Sequence, residues 1–275
     1  MHGTIPWSRR LLPWLSSILT LIGSLAHAAS EAPQIEASIA ASDLVILAKH
    51  CGKPAPSDET LAIFNKHAFA SDHAQAVNLL AFEENRWFVY ALADMSQDNV
   101  THLRRIFLLK PSTLVLEDVL GSSPQEPSTR WSLRSREAAQ VDASGFRVSE
   151  QGLSIVATTV LPIEPSVRNA SLPADSGRPE DYRMEVTPES DSDRFLHVFQ
   201  LVTEGASPPQ LADVELDEAQ IALTVAGQAN VHRIYLPIDA HQTAQIAIAD
   251  TAGKSLVQQR LLPSGVMPHG RKGAE

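Results

Sequence analysis

Hydrophobic residues along this chain come in short runs, broken about every ten residues by Gly, Pro, Ser or Asn. That rhythm predicts many short strands rather than helices. The clearest stretch is His102-Leu-Arg-Arg-Ile-Phe-Leu-Leu-Lys-Pro-Ser-Thr-Leu-Val-Leu-Glu-Asp-Val-Leu120. It reads as two strands with a turn at Lys110–Thr113, since Pro111 lacks a backbone donor and biases Lys110 away from the α region. Strand alternation puts Leu114, Leu116, Asp118 and Leu120 on one face and Val115, Glu117 and Val119 on the other. By the same rule, the neighbours Arg104 and Arg105 point to opposite faces.

Before this pair, Gln34–Ala41 and Asp43–Lys49 read as opening strands, the second as a continuous apolar run of buried type. Thr60–Asn65 reads as a short strand, with a brief helix capped at Ser57–Thr60 as the alternative. A hairpin, Gln75–Phe82 and Arg86–Ala93, turns around Glu83-Glu84-Asn85. After the pair come Thr129–Ser135, then a meander of Ala138–Asp142, Phe146–Glu150 and Leu153–Leu161. Pro162–Glu180 reads as a long irregular loop, followed by strands at Tyr182–Thr187 and Arg194–Val202. Gly205–Gln210 reads as a link, and the last four strands as Gln220–Val225, Asn230–Leu236, Ala244–Asp250 and Ser255–Leu261. No sustained helical periodicity is expected. The predicted fold is all-β, an antiparallel β-sandwich of roughly a dozen or more strands.

The ends read differently. Arg9-Arg10, the apolar segment Leu11–Leu25 and the small-x-small site Ala26-His27-Ala28 form a secretory signal peptide over residues 1–28. This predicts a periplasmic or extracellular protein with no transmembrane segment in the mature chain. The sandwich is then expected over 29–262, with a flexible tail over 263–275. Removing the leader leaves 20 basic against 32 acidic residues, a net charge of −12 in place of −10. Such a field disfavours nucleic acid and anionic membranes, so a polyanionic ligand needs a local basic patch. The lone Cys51 excludes an intrachain disulfide. Asn169-Ala-Ser171 is a formal glycosylation sequon.

Several segments, in this order, resemble one family. They are Arg104–Asp118, Trp131-Ser-Leu-Arg134, Val160-Leu-Pro162, Arg183-Met-Glu-Val-Thr-Pro188 and Asp193-Arg-Phe-Leu-His-Val-Phe199. Together they resemble the C-terminal β-sandwich of heparinase II/III-type polysaccharide lyases, over about residues 70–203. The resemblance implies a β-sandwich and an acidic polysaccharide or oligosaccharide as partner. Family members carry an α/α toroid that supplies the catalytic tyrosine, and only about 40 residues separate this leader from the first family-like strands. The chain is therefore expected to lack the toroid, or to work with a separate toroid chain. It also has Arg134 where the family strand ends in histidine.

Two sets of residues are candidates for chemistry. Arg104, Arg134, Trp131 and Tyr90 could clamp a carboxylate or sulfate and stack on sugar rings. The competing reading makes Trp87, Phe88, Phe107 and Trp131 sandwich core, with the arginines paired to the surplus acids. His67, Asp72 and His73, joined by His50 or His102, carry donors that suit zinc, but this spacing writes no closed ligand set and ordinary loop and surface histidines fit it better. No Gly-x-Ser-x-Gly elbow, phosphate loop or paired-cysteine site occurs. Tyr90, Tyr182 and Tyr235 are the only tyrosines for a lyase mechanism, and no base, acid and carboxylate-neutralising set can be assembled. Three functions follow: a carbohydrate-binding or structural accessory module, a lyase or part of one, and a cell-envelope scaffold.

Overall fold

The computed structural model describes residues 35–51, 57–69, 77–96, 100–121, 129–142, 145–172, 182–189, 192–203, 210–227 and 229–262. The predicted leader, the predicted tail, Asp72 and His73 lie outside these residues. Among the described residues the chain is an antiparallel-rich β structure of 17 strands in three sheets.

The central sheet has eight strands. In spatial order they are β2 (Asn78–Glu84), β3 (Phe88–Asp94), β4 (Thr101–Leu109), β5 (Thr113–Gly121), β12 (Arg194–Thr203), β9 (Leu153–Leu161), β8 (Gly145–Glu150) and β7 (Gln140–Val141). The predicted β2–β3 hairpin turns at Asn85, whose Oδ1 accepts hydrogen bonds from the N–H groups of Trp87 and Phe88. The β8–β9 turn uses Gln151 and Gly152, both at positive φ (51° and 78°). That is the twist a two-residue hairpin loop needs.

Both faces of this sheet are covered. On one face a four-stranded sheet packs, in the order β1 (Ile35–Ala40), β6 (Thr129–Ser135), β11 (Tyr182–Thr187) and β10 (Ser166–Ser171). Its Trp131, Leu133, Met184 and Val186 meet Ile106, Leu108, Leu116, Phe195 and Phe199. On the other face a five-stranded sheet packs, running in order β13 (Gln210–Leu216), β14 (Gln220–Ala226), β15 (Asn230–Pro237), β16 (Gln245–Asp250) and β17 (Ser255–Leu261). Here Ile221, Leu223, Ile234, Leu236, Ile246 and Ile248 meet Phe88, Tyr90, Phe107, Val115, Leu196 and Val198. The alternation predicted for the organising pair is the alternation between these two cores. It reads as an almost unbroken hydrophobic run because both faces of β4 and β5 are buried from Leu103 to Leu109 and from Thr113 to Asp118.

Four expectations are corrected. Asp43–Lys49 is not a strand but lies in α1 (Ala41–Cys51). Leu44, Val45, Leu47 and Ala48 are buried, the i, i+1, i+3, i+4 stripe of a helix face. A continuous apolar run fits a buried strand and a buried helix alike. Thr60–Asn65 is likewise helical, in α2 (Ser57–Ile63) and the π-helical turn Phe64–Ala68 that continues it. Pro162–Glu180 contains strand β10, and the segment after Gly205–Gln210 contains β13. Both were hidden because they are sheet edges: β10 exposes Ser166, Arg168, Asn169 and Ser171, and its exposed positions do not alternate strictly.

Candidate functional site: an arginine-rich sheet face

Three of the four predicted ligand-binding residues are interior. Trp131 is fully buried, with its ring centroid 4.0 Å from that of His197. Its Nε1–H donates to Asp118 Oδ2 at 2.9 Å. Arg104 is buried and donates from Nε and Nη2 to Asp118 at 2.7 and 3.0 Å. It also donates to the carbonyls of Ala68 and Ser38. His102 Nε2 lies 2.8 Å from Asp118 Oδ1. Burial pushes the Asp118 carboxyl up, but Arg104 and His102 outweigh it and hold it far below the usual range.

Tyr90 is also fully buried, on the opposite face of the sheet, against Phe107. Burial raises its phenol pKa, although Arg105 pulls the other way, so it stays protonated and serves poorly as a base. Arg105 hydrogen-bonds Glu117 and donates to the carbonyls of Ala240 (2.8 Å) and Gln242 (3.1 Å). Arg194 Nε lies 3.1 Å from Glu117 Oε1, and its Nη2 donates to Pro237 O at 2.8 Å. These aromatics and arginines are core and interlayer clamps, and they offer no surface to a sugar.

For the metal candidates, His67 Nδ1 lies 2.6 Å from Asp43 Oδ1 and His50 Nε2 lies 3.1 Å from Thr60 Oγ1. Among the described residues no group of three or more His, Cys, Asp or Glu is placed to hold a metal ion. The sequon residue Asn169 has its side-chain amide engaged. Nδ2 donates to Ala139 O at 2.6 Å and Oδ1 accepts from Ala139 N at 3.2 Å.

The fourth predicted residue, Arg134, stands elsewhere. Because Trp131 and Leu133 point into the core, Arg130, Ser132 and Arg134 of β6 point to the outer face of the four-stranded sheet. Register brings further groups beside them. Arg134 pairs with Arg183 of β11, Ser132 with Glu185, and Glu185 in turn with Arg168 of β10. Across the parallel β1–β6 ladder Arg130 pairs with Glu36.

Glu185, 1% exposed, is the hub of this face. It receives Arg130 Nη1 at 3.1 Å and Arg168 Nε at 2.6 Å, with Arg183 Nη2 at 2.8 Å. Arg130 Nη2 also donates to Glu36 at 2.7 Å. Three arginines, Arg130, Arg168 and Arg183, thus surround two glutamates on a chain whose net charge is −10, with Arg134 beside them across from Arg183. Arg168, Arg183 and Glu185 were missed in the sequence because they lie on two other strands, one of them the unread edge strand β10. The Arg-x-Glu alternation at Arg183 and Glu185 was their only local signal.

No known family model matches the chain, and no curated protein matches it in sequence. In fold it is similar to a mutant of the heparan sulfate lyase HepC from Pedobacter heparinus, at 10% identity and a TM-score of 0.44. That similarity covers 60% of this chain and 28% of the other. It is also similar to the heparinase III BT4657 gene product, at 13% identity and a TM-score of 0.44, over 69% of this chain and 28% of that one. The chain therefore spans about 28% of the length of the heparinase III-type structures whose β-sheet fold it resembles.

Proposed function

We propose that this chain is a secreted accessory module that holds an acidic polysaccharide on the outer face of its four-stranded sheet and does not cut it. The observation that carries this reading is the cross-strand pair of Arg134 and Arg183. Like charges directly opposite on a sheet repel each other, and an anion between them turns that repulsion into a bidentate clamp. Glu185 and Glu36 hold Arg130, Arg168 and Arg183 on this same face. A chain with an acidic overall field holds a polyanion only through such a local patch.

A β-eliminating lyase needs a base, an acid and a group that neutralises the uronate carboxylate. Of the three tyrosines, Tyr90 is buried in the core and does not provide that base. Export rests on the leader at 1–28. Among the described residues no helix is long and apolar enough to cross a membrane. The full burial of Trp131 also fits the reading of a cell-envelope scaffold with no ligand.

The test is incubation with a panel of acidic polysaccharides, following retention of intact glycan and new ultraviolet absorbance from unsaturated uronate ends. Retention without absorbance is expected, with the Arg134→Gln/Arg183→Gln variant at least roughly tenfold weaker. Absorbance that grows with protein concentration overturns the non-catalytic reading. No retention leaves the scaffold.

A further inference from the structure

Among the described residues His232 is the one buried polar side chain of the five-stranded layer. Alternation along β15 aims it inward with Ile234 and Leu236, and register sets it opposite Val225 of β14 and Ile248 of β16. All four of those neighbours are buried and apolar. Its Nε2 is buried and has no hydrogen-bond partner. Burial lowers the pKa of the ring to about 4, so at neutral pH the imidazole is uncharged, with one nitrogen that donates and one that accepts. A buried polar atom without a partner destabilises a fold, so its presence at a core position needs a reason.

The reason lies at the end of the layer. His232 lines a cleft of about 300 Å³ between the five-stranded sheet and the central sheet, bounded by the β4–β5 turn, the end of β12 and the β14–β15 turn. Pro111, Thr203 and Ala229 form its exposed rim, while Leu109, Val202 and Val225 wall it deeper in. Ser112 and Thr113 add hydroxyls to the lining. Gln200, opposite Thr113 in the β5–β12 ladder, has a buried Nε2 that also lacks a partner. Charge here is balanced. Among the described residues no Asp or Glu lines the cleft, and its one cation, Lys110, has Nζ 3.1 Å from Glu84 Oε1.

These features select a ligand by its chemistry. The apolar walls favour an apolar body, and the neutral imidazole can donate to a hydroxyl or accept from one. A charged ligand would give up water in the cleft and find no free counter-charge. We infer that this cleft binds a small uncharged ligand that carries a hydroxyl on an apolar body, with His232 Nε2 recognising the hydroxyl. The site lies on the other side of the central sheet from the arginine face and does not rest on the glycan reading.

The test titrates the full chain with phenol, toluene and benzoate, following the ring-nitrogen signals of His232 by NMR. Phenol is expected to move the Nε2 signal saturably and to bind at least about tenfold more tightly than toluene or benzoate. His232→Leu is expected to melt no lower than the wild type, because it removes an unpaired buried polar atom. It should bind phenol about tenfold more weakly and toluene unchanged. Ala229→Trp, at the exposed rim, should close the cleft and abolish phenol binding without changing the circular dichroism. No saturable phenol binding, equal binding of phenol and toluene, or a phenol preference that survives His232→Leu overturns the site. Unchanged phenol binding in Ala229→Trp overturns it as well.

Discussion

Arg104 and Arg105 are neighbours in sequence, yet their guanidinium groups clamp opposite layers of the fold. Arg104 pairs with Asp118 and reaches the carbonyls of Ser38 and Ala68, in β1 and the π-helical turn. Arg105 pairs with Glu117 and reaches the carbonyls of Ala240 and Gln242, between β15 and β16. The register of one hairpin, Arg104 opposite Asp118 and Arg105 opposite Glu117, thus sets two ion pairs back to back through the central sheet. Each outer layer is tied to that sheet by hydrogen bonds from a buried charge to backbone carbonyls, in addition to its hydrophobic face.

Asp118→Ala leaves Arg104 buried without its counter-ion and also strips Trp131 and His102 of an acceptor. A loss of about 3–5 kcal/mol is expected. The Arg104→Met/Asp118→Ala double variant is expected to cost less than the sum of its parts, because it removes both charges together. Urea unfolding of the four proteins of this cycle checks both statements. Equal and additive losses would show that the pair is not coupled.

Acid should destabilise the fold in two stages. His197 is buried, which lowers its pKa to about 3 from 6.5, so the unfolded chain takes up the proton first. Its contribution is present above pH 6.5 and is lost as the pH falls from there toward 3, by roughly 2 kcal/mol at pH 5. His232, lowered to about 4 by burial, acts in the same direction. Asp118, with a depressed pKa, contributes above the ordinary carboxylate range, and that part is lost only below about pH 4. Urea midpoints at pH 7.5 and 5.0 should differ in the wild type and differ less in His197→Gln.

Trp131→Ala should unfold the protein more readily without changing its affinity for a glycan. Loss of the indole removes core packing against His197, Phe146 and Phe199 and leaves Asp118 short of a donor. A cost of about 3–5 kcal/mol is expected. Glycan affinity measured well below the melting temperature should match the wild type. A selective loss of affinity would return Trp131 to the binding surface.

Glu117→Gln should loosen the five-stranded layer in particular. Glu117 lies between Arg105 and Arg194, and both arginines hold carbonyls at the ends of β15 and the β15–β16 connection. Removing its charge leaves two buried guanidinium groups facing each other. Hydrogen exchange should speed up at Ile246 and Ile248 more than at Trp131 and Leu133. Uniform acceleration would argue against a layer-specific clamp.

Much of the candidate site was only half legible. Arg134 is readable as an outward residue because it alternates with Trp131 and Leu133. Its cross-strand neighbour Arg183 is 49 positions away, and only the β6–β11 ladder sets them opposite each other. The competing fates of Trp131 and Arg104, core or ligand, have the same sequence signature, since strand alternation assigns a face without saying what covers it. The five-stranded layer and the four-stranded layer decide that question by enclosing both faces of the central sheet.

The alternation of apolar and polar positions by itself determined the all-β class, the organising β4–β5 pair, the turns at Asn85, Pro111 and Gly152, and the opposite aims of Arg104 and Arg105. These depend on local terms, a two-residue side-chain period and the backbone limits of Pro, Gly and Asn. Only the tertiary structure decided that Leu44–Ala48 is helical, that β10 and β13 exist, and that Glu185 gathers three arginines. Those outcomes depend on what packs against a segment from far along the chain, and a period of two carries no information about a distant neighbour.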